Sequence, residues 1–196
     1  MFYKFVRGIL AFWVYLTGIK IIGRENMPKS GPVVTLSNHS HWSDPILMGV
    51  AWQRPVRFIG KAELEKKVFL NKIAQWVNLV PIHRGETDLN AMRLAIDAAK
   101  NDGSVLGVFP EGTRNKGKDL LEFKEGAIFI AYKSESTICP MALKNSSNFL
   151  AFWRPRPRVI VGEPIFLEKG DMNTQKFLER YNDICRSEVL KLLEDK

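Results

Sequence analysis

Val33-Val34-Thr35-Leu36-Ser37-Asn38-His39-Ser40-His41-Trp42-Ser43-Asp44-Pro45 packs a strand, a short loop and a helix start into thirteen residues. Val33 to Ser37 reads as a short strand. Ser43 fits an N-cap, with Asp44 and Pro45 in the first turn, where proline loses no hydrogen bond and the helix dipole favours a carboxylate. A strand feeding directly into a helix is the unit from which α/β sheets are built.

The same alternation extends in both directions. Ile19 to Gly23 reads as a strand before the turn-forming Asn26-Met27-Pro28-Lys29-Ser30-Gly31-Pro32. Asp44 to Trp52 reads as a helix, Arg57 to Gly60 as a strand, Ala62 to Asn78 as an amphipathic helix and Leu79 to Ile82 as a strand. A patterned helix starts at Thr87-Asp88 and ends near Asn101-Asp102-Gly103. Ser104 to Phe109 is a buried strand, followed by a helix around Gly126 to Tyr132, strands at Thr137 to Leu143 and Arg158 to Gly162, and a last helix after Asn173 running through Leu192. The predicted fold is therefore an α/β domain over residues 21–196, a mixed, largely parallel sheet flanked by helices. With 196 residues, 45% of them hydrophobic, the chain can bury a core without disulfides. Its cysteines, Cys139 and Cys185, read as reduced thiols.

Residues 1–20 differ in character. Phe2, Phe5, Val6, Ile9, Phe12, Trp13, Leu16 and Ile19 recur at helical spacing, and twelve uncharged residues separate Arg7 from Lys20. That is about 18 Å of helix, short for a hydrocarbon core of about 30 Å. We read it as an apolar interfacial helix with Lys4, Arg7 and Lys20 reaching toward phosphate. The alternative is a helix packed on its own domain. The formal charge of +8 favours anionic partners. Lys66, Lys67 and Lys72 interleave with apolar residues, and Arg154, Arg156 and Arg158 form a second cluster, both suited to an anionic membrane surface or an acidic carrier protein. No zinc-finger pattern, aromatic RNA-binding motif or long basic helix points to specific nucleic-acid binding.

Chemistry-bearing residues gather after two of the strands. Asp44 lies five positions after His39, about 140° apart on a regular helix, so a loop is needed to bring them together. Asp44 would then hold one imidazole nitrogen and leave the other to take a proton from a hydroxyl. A structural hydrogen bond at a strand end is the competing reading of His39. Phe109-Pro110-Glu111-Gly112-Thr113-Arg114 supplies an acid, a glycine that allows close backbone approach and a guanidinium fork matched to phosphate. By itself it would suit a surface turn with an ion pair. Two such segments at like positions weigh toward a site. The His39-x-His41 pair also suits a metal-dependent hydrolase, but only His83 remains as a further imidazole.

These blocks resemble the lysophospholipid acyltransferases, especially bacterial 1-acyl-sn-glycerol-3-phosphate acyltransferases. The family's N-H-x-x-x-x-D block matches Asn38, His39 and Asp44, and its F-P-E-G-T-R block matches Phe109 through Arg114. Val80-Pro81-Ile82-His83-Arg84, Ile138-Cys139-Pro140-Met141-Ala142, Lys61 in Gly60-Lys61-Ala62-Glu63-Leu64 and Phe123-Lys124-Glu125-Gly126 resemble its remaining blocks. Asn115 stands where many members have serine, a departure read as leaving the chemistry untouched. The resemblance implies that His39 is the general base and Asp44 its partner. Lys61, Arg84 and Arg114 would hold a phosphate, Glu111, Gly112 and Thr113 would line the acceptor pocket, and Asn38 and Pro140 would give support. It implies transfer of an acyl chain from acyl-CoA or acyl-carrier protein to the sn-2 hydroxyl of lysophosphatidic acid, with no metal or organic cofactor, at the cytoplasmic face of the cell membrane. Another lysophospholipid or glycerol-3-phosphate remains an alternative acceptor.

Overall fold

The computed structural model describes residues 18–61, 80–82, 88–100, 104–115, 117, 119–149, 151 and 154–195. Of the expected N-terminal interfacial helix, residues 1–17 lie outside the described part, as do the expected helix 62–78 with its lysines, and Arg84. Lys20 is strand, so the interfacial helix does not extend to residue 20 as expected.

Seven strands form one sheet: β1 (Lys20–Ile22), β2 (Val33–Ser37), β3 (Val56–Lys61), β4 (Val80–Ile82), β5 (Val105–Val108), β6 (Thr137–Lys144) and β7 (Arg158–Val161), in the order β1-β7-β6-β2-β5-β3-β4. Every pairing is parallel except β6 with β7. The described helices are α1 (Asp44–Ala51), α2 (Asp88–Lys100), α3 (Gly126–Lys133) and α4 (Thr174–Glu194).

The central strand β2 is buried along its whole length, and its two hydroxyls are satisfied there, Thr35 Oγ1 donating to Cys139 O and Ser37 Oγ to Asn38 O. Its alternate side chains serve two cores. Val34 and Leu36 join Leu106, Ile138 and the apolar residues of α2, α3 and α4, whereas Val33 packs with Met141, Val105 and Leu47, Met48 and Ala51 of α1. In α4, Phe177, Tyr181, Cys185 and Val189 recur every four residues and are buried, and Asn173 Oδ1 accepts from Lys176 N at 2.9 Å to cap the helix.

One register positions the rest. Val34 pairs with Leu106 and Leu36 with Val108, so β2 and β5 run side by side and end together. The loop carrying His39 and the loop carrying Arg114 therefore leave the same edge of the sheet, at the carboxyl ends of parallel strands where open α/β sheets place their sites.

Candidate active site

His39 and Asp44 meet because residues 38–43 curl back over the start of α1. Asp44 is fully buried. Its Oδ2 accepts from His39 Nδ1 at 2.8 Å and from the backbone N–H groups of Ser40 and His41, each at 2.7 Å. A carboxylate so engaged has no proton to give, so Nδ1 carries the imidazole proton and Nε2 is left as the acceptor. Asp44 Oδ1 is buried without a hydrogen-bond partner among the described residues, so this loop supplies all the support the carboxylate receives there.

Ser43 occupies the N-cap position expected for it but does not cap the helix with its side chain. Its hydroxyl donates to Ser146 O at 2.8 Å and lies 2.8 Å from His41 Nδ1, which also sits 3.4 Å from Ser43 N. The two imidazoles of the His-x-His pair thus turn to different partners. Among the described residues no three His, Cys, Asp or Glu side chains come together as a metal-binding set.

The His39 ring stacks on Phe109, with centroids 4.1 Å apart and planes at 20°. Phe109 in turn lies parallel to Phe58, at 6.0 Å and 8°. This ladder crosses from β3 over β5 to the loop after β2, and it requires Gly107. A Cβ there would stand 2.6 Å from Phe58 Cε1 and 3.0 Å from Met48 Sδ.

Glu111 is 5% exposed and turned inward. Its Oε1 accepts from His39 N at 2.7 Å, and its Oε2 accepts from Asn115 Nδ2 at 3.1 Å and Leu121 N at 3.2 Å. Asn115 N donates to His39 O at 2.7 Å. Both backbone groups of His39 are therefore held by the neighbouring loop. Asn115 bears on this loop in two ways: its backbone grips the histidine, as the backbone of a serine there could, and its side chain reaches Glu111 and Asp119 O while its Oδ1 accepts from Gly117 N. Sequence spacing gave no sign of this because the bonds run to main-chain atoms.

Gly112 closes the turn by donating to Phe109 O at 3.0 Å. It does so at φ 69°, a left-handed conformation that favours glycine. Thr113 and Arg114 are exposed at the rim. Asn38 is buried and clamps the first loop to β6, with Nδ2 donating to Leu143 O at 3.0 Å and Oδ1 accepting from Leu143 N at 2.8 Å. Pro140 lies within the sheet opposite Leu36, its carbonyl accepting from Gly162 N, so it supports the site through β6. Lys61 ends β3, its backbone paired with Ile82. Arg84 lies outside the described residues.

The model of the Acyltransferase family matches residues 18–144, which hold both loops. A 1-acyl-sn-glycerol-3-phosphate acyltransferase of Borreliella burgdorferi is 33% identical over 148 residues, covering 74% of this chain and 59% of that protein. Its namesake in Bacillus subtilis is 28% identical over 166 residues, covering 83% of this chain and 82% of that one. The chain thus spans less than two thirds of the Borreliella protein and most of the Bacillus one. In fold it is similar to the crystal structure of the 1-acyl-sn-glycerophosphate acyltransferase PlsC from Thermotoga maritima, with TM-score 0.70, 23% identity, and coverage of 97% of this chain and 81% of that chain. By the family match across both loops, the chain belongs to the acyltransferase family.

Proposed function

We propose that the protein transfers an acyl chain from a thioester, acyl-CoA or acyl-carrier protein, to the sn-2 hydroxyl of 1-acyl-sn-glycerol-3-phosphate, giving phosphatidic acid at a membrane surface on its cytoplasmic side. The observation that carries this reading is the His39–Asp44 pair, 2.8 Å apart, on a loop bonded through Glu111 and Asn115 to the loop that bears Arg114. The activity named for the Borreliella and Bacillus relatives suggests the acceptor.

In this mechanism His39 Nε2 takes the proton of the acceptor hydroxyl as its oxygen attacks the thioester carbonyl. The buried Asp44 carboxylate stabilises the imidazolium at Nδ1. The tetrahedral intermediate collapses by breaking the carbon–sulfur bond, and the imidazolium returns its proton to the departing thiolate. Atoms balance without a covalent acyl-enzyme. Arg114, exposed and unpaired among the described residues, offers its fork to the acceptor phosphate, with Lys61 and Arg84 as further cations and Gly112 and Thr113 at the rim. Glu111, with both oxygens engaged, serves this site by holding the histidine. Trp42, 49% exposed and next to His41, offers an amphipathic ring to lipid beside the base. No helix among the described residues is long and apolar enough to cross a membrane. In this reading residues 1–17 and the basic clusters carry the protein to an anionic surface.

The test is detergent-solubilised protein with a labelled acyl thioester and 1-acyl-sn-glycerol-3-phosphate, following phosphatidic acid and free thiol. His39→Ala is expected to lower turnover at least about 10²-fold with folding intact. A near-wild-type rate in that variant would remove His39 as the base, and thiol release without acyl transfer would replace the transferase with a thioester hydrolase.

A further inference from the structure

Lys124 lies across the turn at Gly112. An ideal Cβ at Gly112 would stand 2.9 Å from Lys124 Nζ, 3.0 Å from its Cε and 3.3 Å from its Cδ, so the lysine chain occupies the space that any side chain at 112 would take. The approach is fixed from both sides. Lys124 N donates to Pro110 O at 2.9 Å, the neighbouring Phe123 is buried, and Asn182 Nδ2 of α4 donates to Phe123 O at 2.8 Å. The backbone that carries the ammonium is thereby held against the loop, with Nζ close to Gly112.

Among the described residues no acid forms an ion pair with it. Both oxygens of Glu111 face inward onto N–H donors. Glu122 pairs with Arg186 at 3.2 Å, and Glu125 accepts from Gln175. Among the described residues neither Lys124 nor Arg114 makes an ion pair or a side-chain hydrogen bond. Two cations outside any ion pair among the described residues thus belong to one glycine turn, Lys124 over Gly112 and Arg114 two residues beyond it. A dianionic phosphate monoester is the ligand chemistry that such a pair recognises, the guanidinium by its fork and the ammonium as a point charge.

We propose that Lys124, lying over the Gly112 turn, is a phosphate-binding residue of the acceptor pocket. The proposal rests on the acyl-transfer reading above and assigns a residue that reading leaves unused. The acyl donor also carries phosphate, so the experiment separates the two sources.

Steady-state kinetics of wild type, Lys124→Met and Lys124→Arg would be measured with an acyl-CoA and 1-acyl-sn-glycerol-3-phosphate, and with 1-acylglycerol as an acceptor lacking phosphate. Loss of one charge-assisted contact is expected to raise the acceptor KM of Lys124→Met about tenfold. Its kcat, its donor KM and its melting temperature should stay close to wild type, and Lys124→Arg should recover most of the affinity. The preference for the phosphorylated acceptor over 1-acylglycerol should shrink by the same factor. An unmoved acceptor KM would overturn the assignment, and so would a rise confined to the donor KM. Wild type that acylates neither acceptor strikes the acyl-transfer reading itself, whereas wild-type turnover with an unmoved acceptor KM strikes the role of the lysine alone.

Discussion

A glutamine at position 111 would keep the shape of the side chain while reversing half of its polarity. Its carbonyl could still accept from His39 N, but its amide would then face Asn115 Nδ2 and Leu121 N, setting donor against donor inside a buried site. Each unmet buried group costs about 1–3 kcal/mol. Because Glu111 holds His39, the proposed base, Glu111→Gln is expected to lower kcat about 10- to 100-fold, a loss consistent with a misplaced base, with little change in either KM. A raised acceptor KM with kcat preserved would show instead that the carboxylate contacts substrate. The histidine and aspartate were legible in the sequence, since a loop of that spacing between strand and helix must close on itself. The grip of Glu111 and Asn115 on the main chain of His39 was not, because a backbone partner 72 residues away leaves no mark on side-chain pattern.

The aromatic ladder belongs to the scale of elements, since it joins β3, β5 and the loop after β2. Gly107→Ala would drive a methyl into Phe58 and Met48, an overpacking that costs about 1–3 kcal/mol. The Phe58 ring would have to shift and take Phe109 with it, tilting the surface on which His39 rests. Thermal melting should report the loss of stability, and turnover should fall by more than the folded fraction does. Turnover that merely tracks the folded fraction would show that the ladder does not orient the base. Element boundaries were largely legible: β2 falls where expected, and α1 opens at Asp44 beside Pro45. Strand order was not. Nothing in Arg158–Val161 says that it runs antiparallel to β6, because that direction is set by where the chain returns, with Lys144 facing Arg158 across the pair.

At the scale of the whole molecule, Cys139 on β6 and Cys185 on α4 are both free and buried. Burial pushes the Cys139 thiol from its ordinary 9.0 up to about 12, and burial followed by the nearby Glu188 carboxylate does the same for Cys185. Unfolded thiols ionise near 9.0 while the folded ones stay protonated. Their contribution to stability is therefore complete below that pH and is lost as pH rises toward about 12. Urea midpoints measured across this range should fall more steeply for wild type than for Cys139→Ala/Cys185→Ala, and parallel curves would remove the thiols from the account. The position of β2 between β5 and β6 has a consequence for the order in which the protein comes into being. Asn38 waits for Leu143, made 105 residues later, and His39 waits for Glu111. A growing chain that stops just short of Thr137 already contains His39, Asp44, Glu111 and Arg114, yet it has no β6 to hold the first loop in place. Long-range pairings of this kind form late in folding. Competence for the proposed transfer should thus arrive in one step once β6 has been made, leaving the half-made protein inert toward its acyl donor.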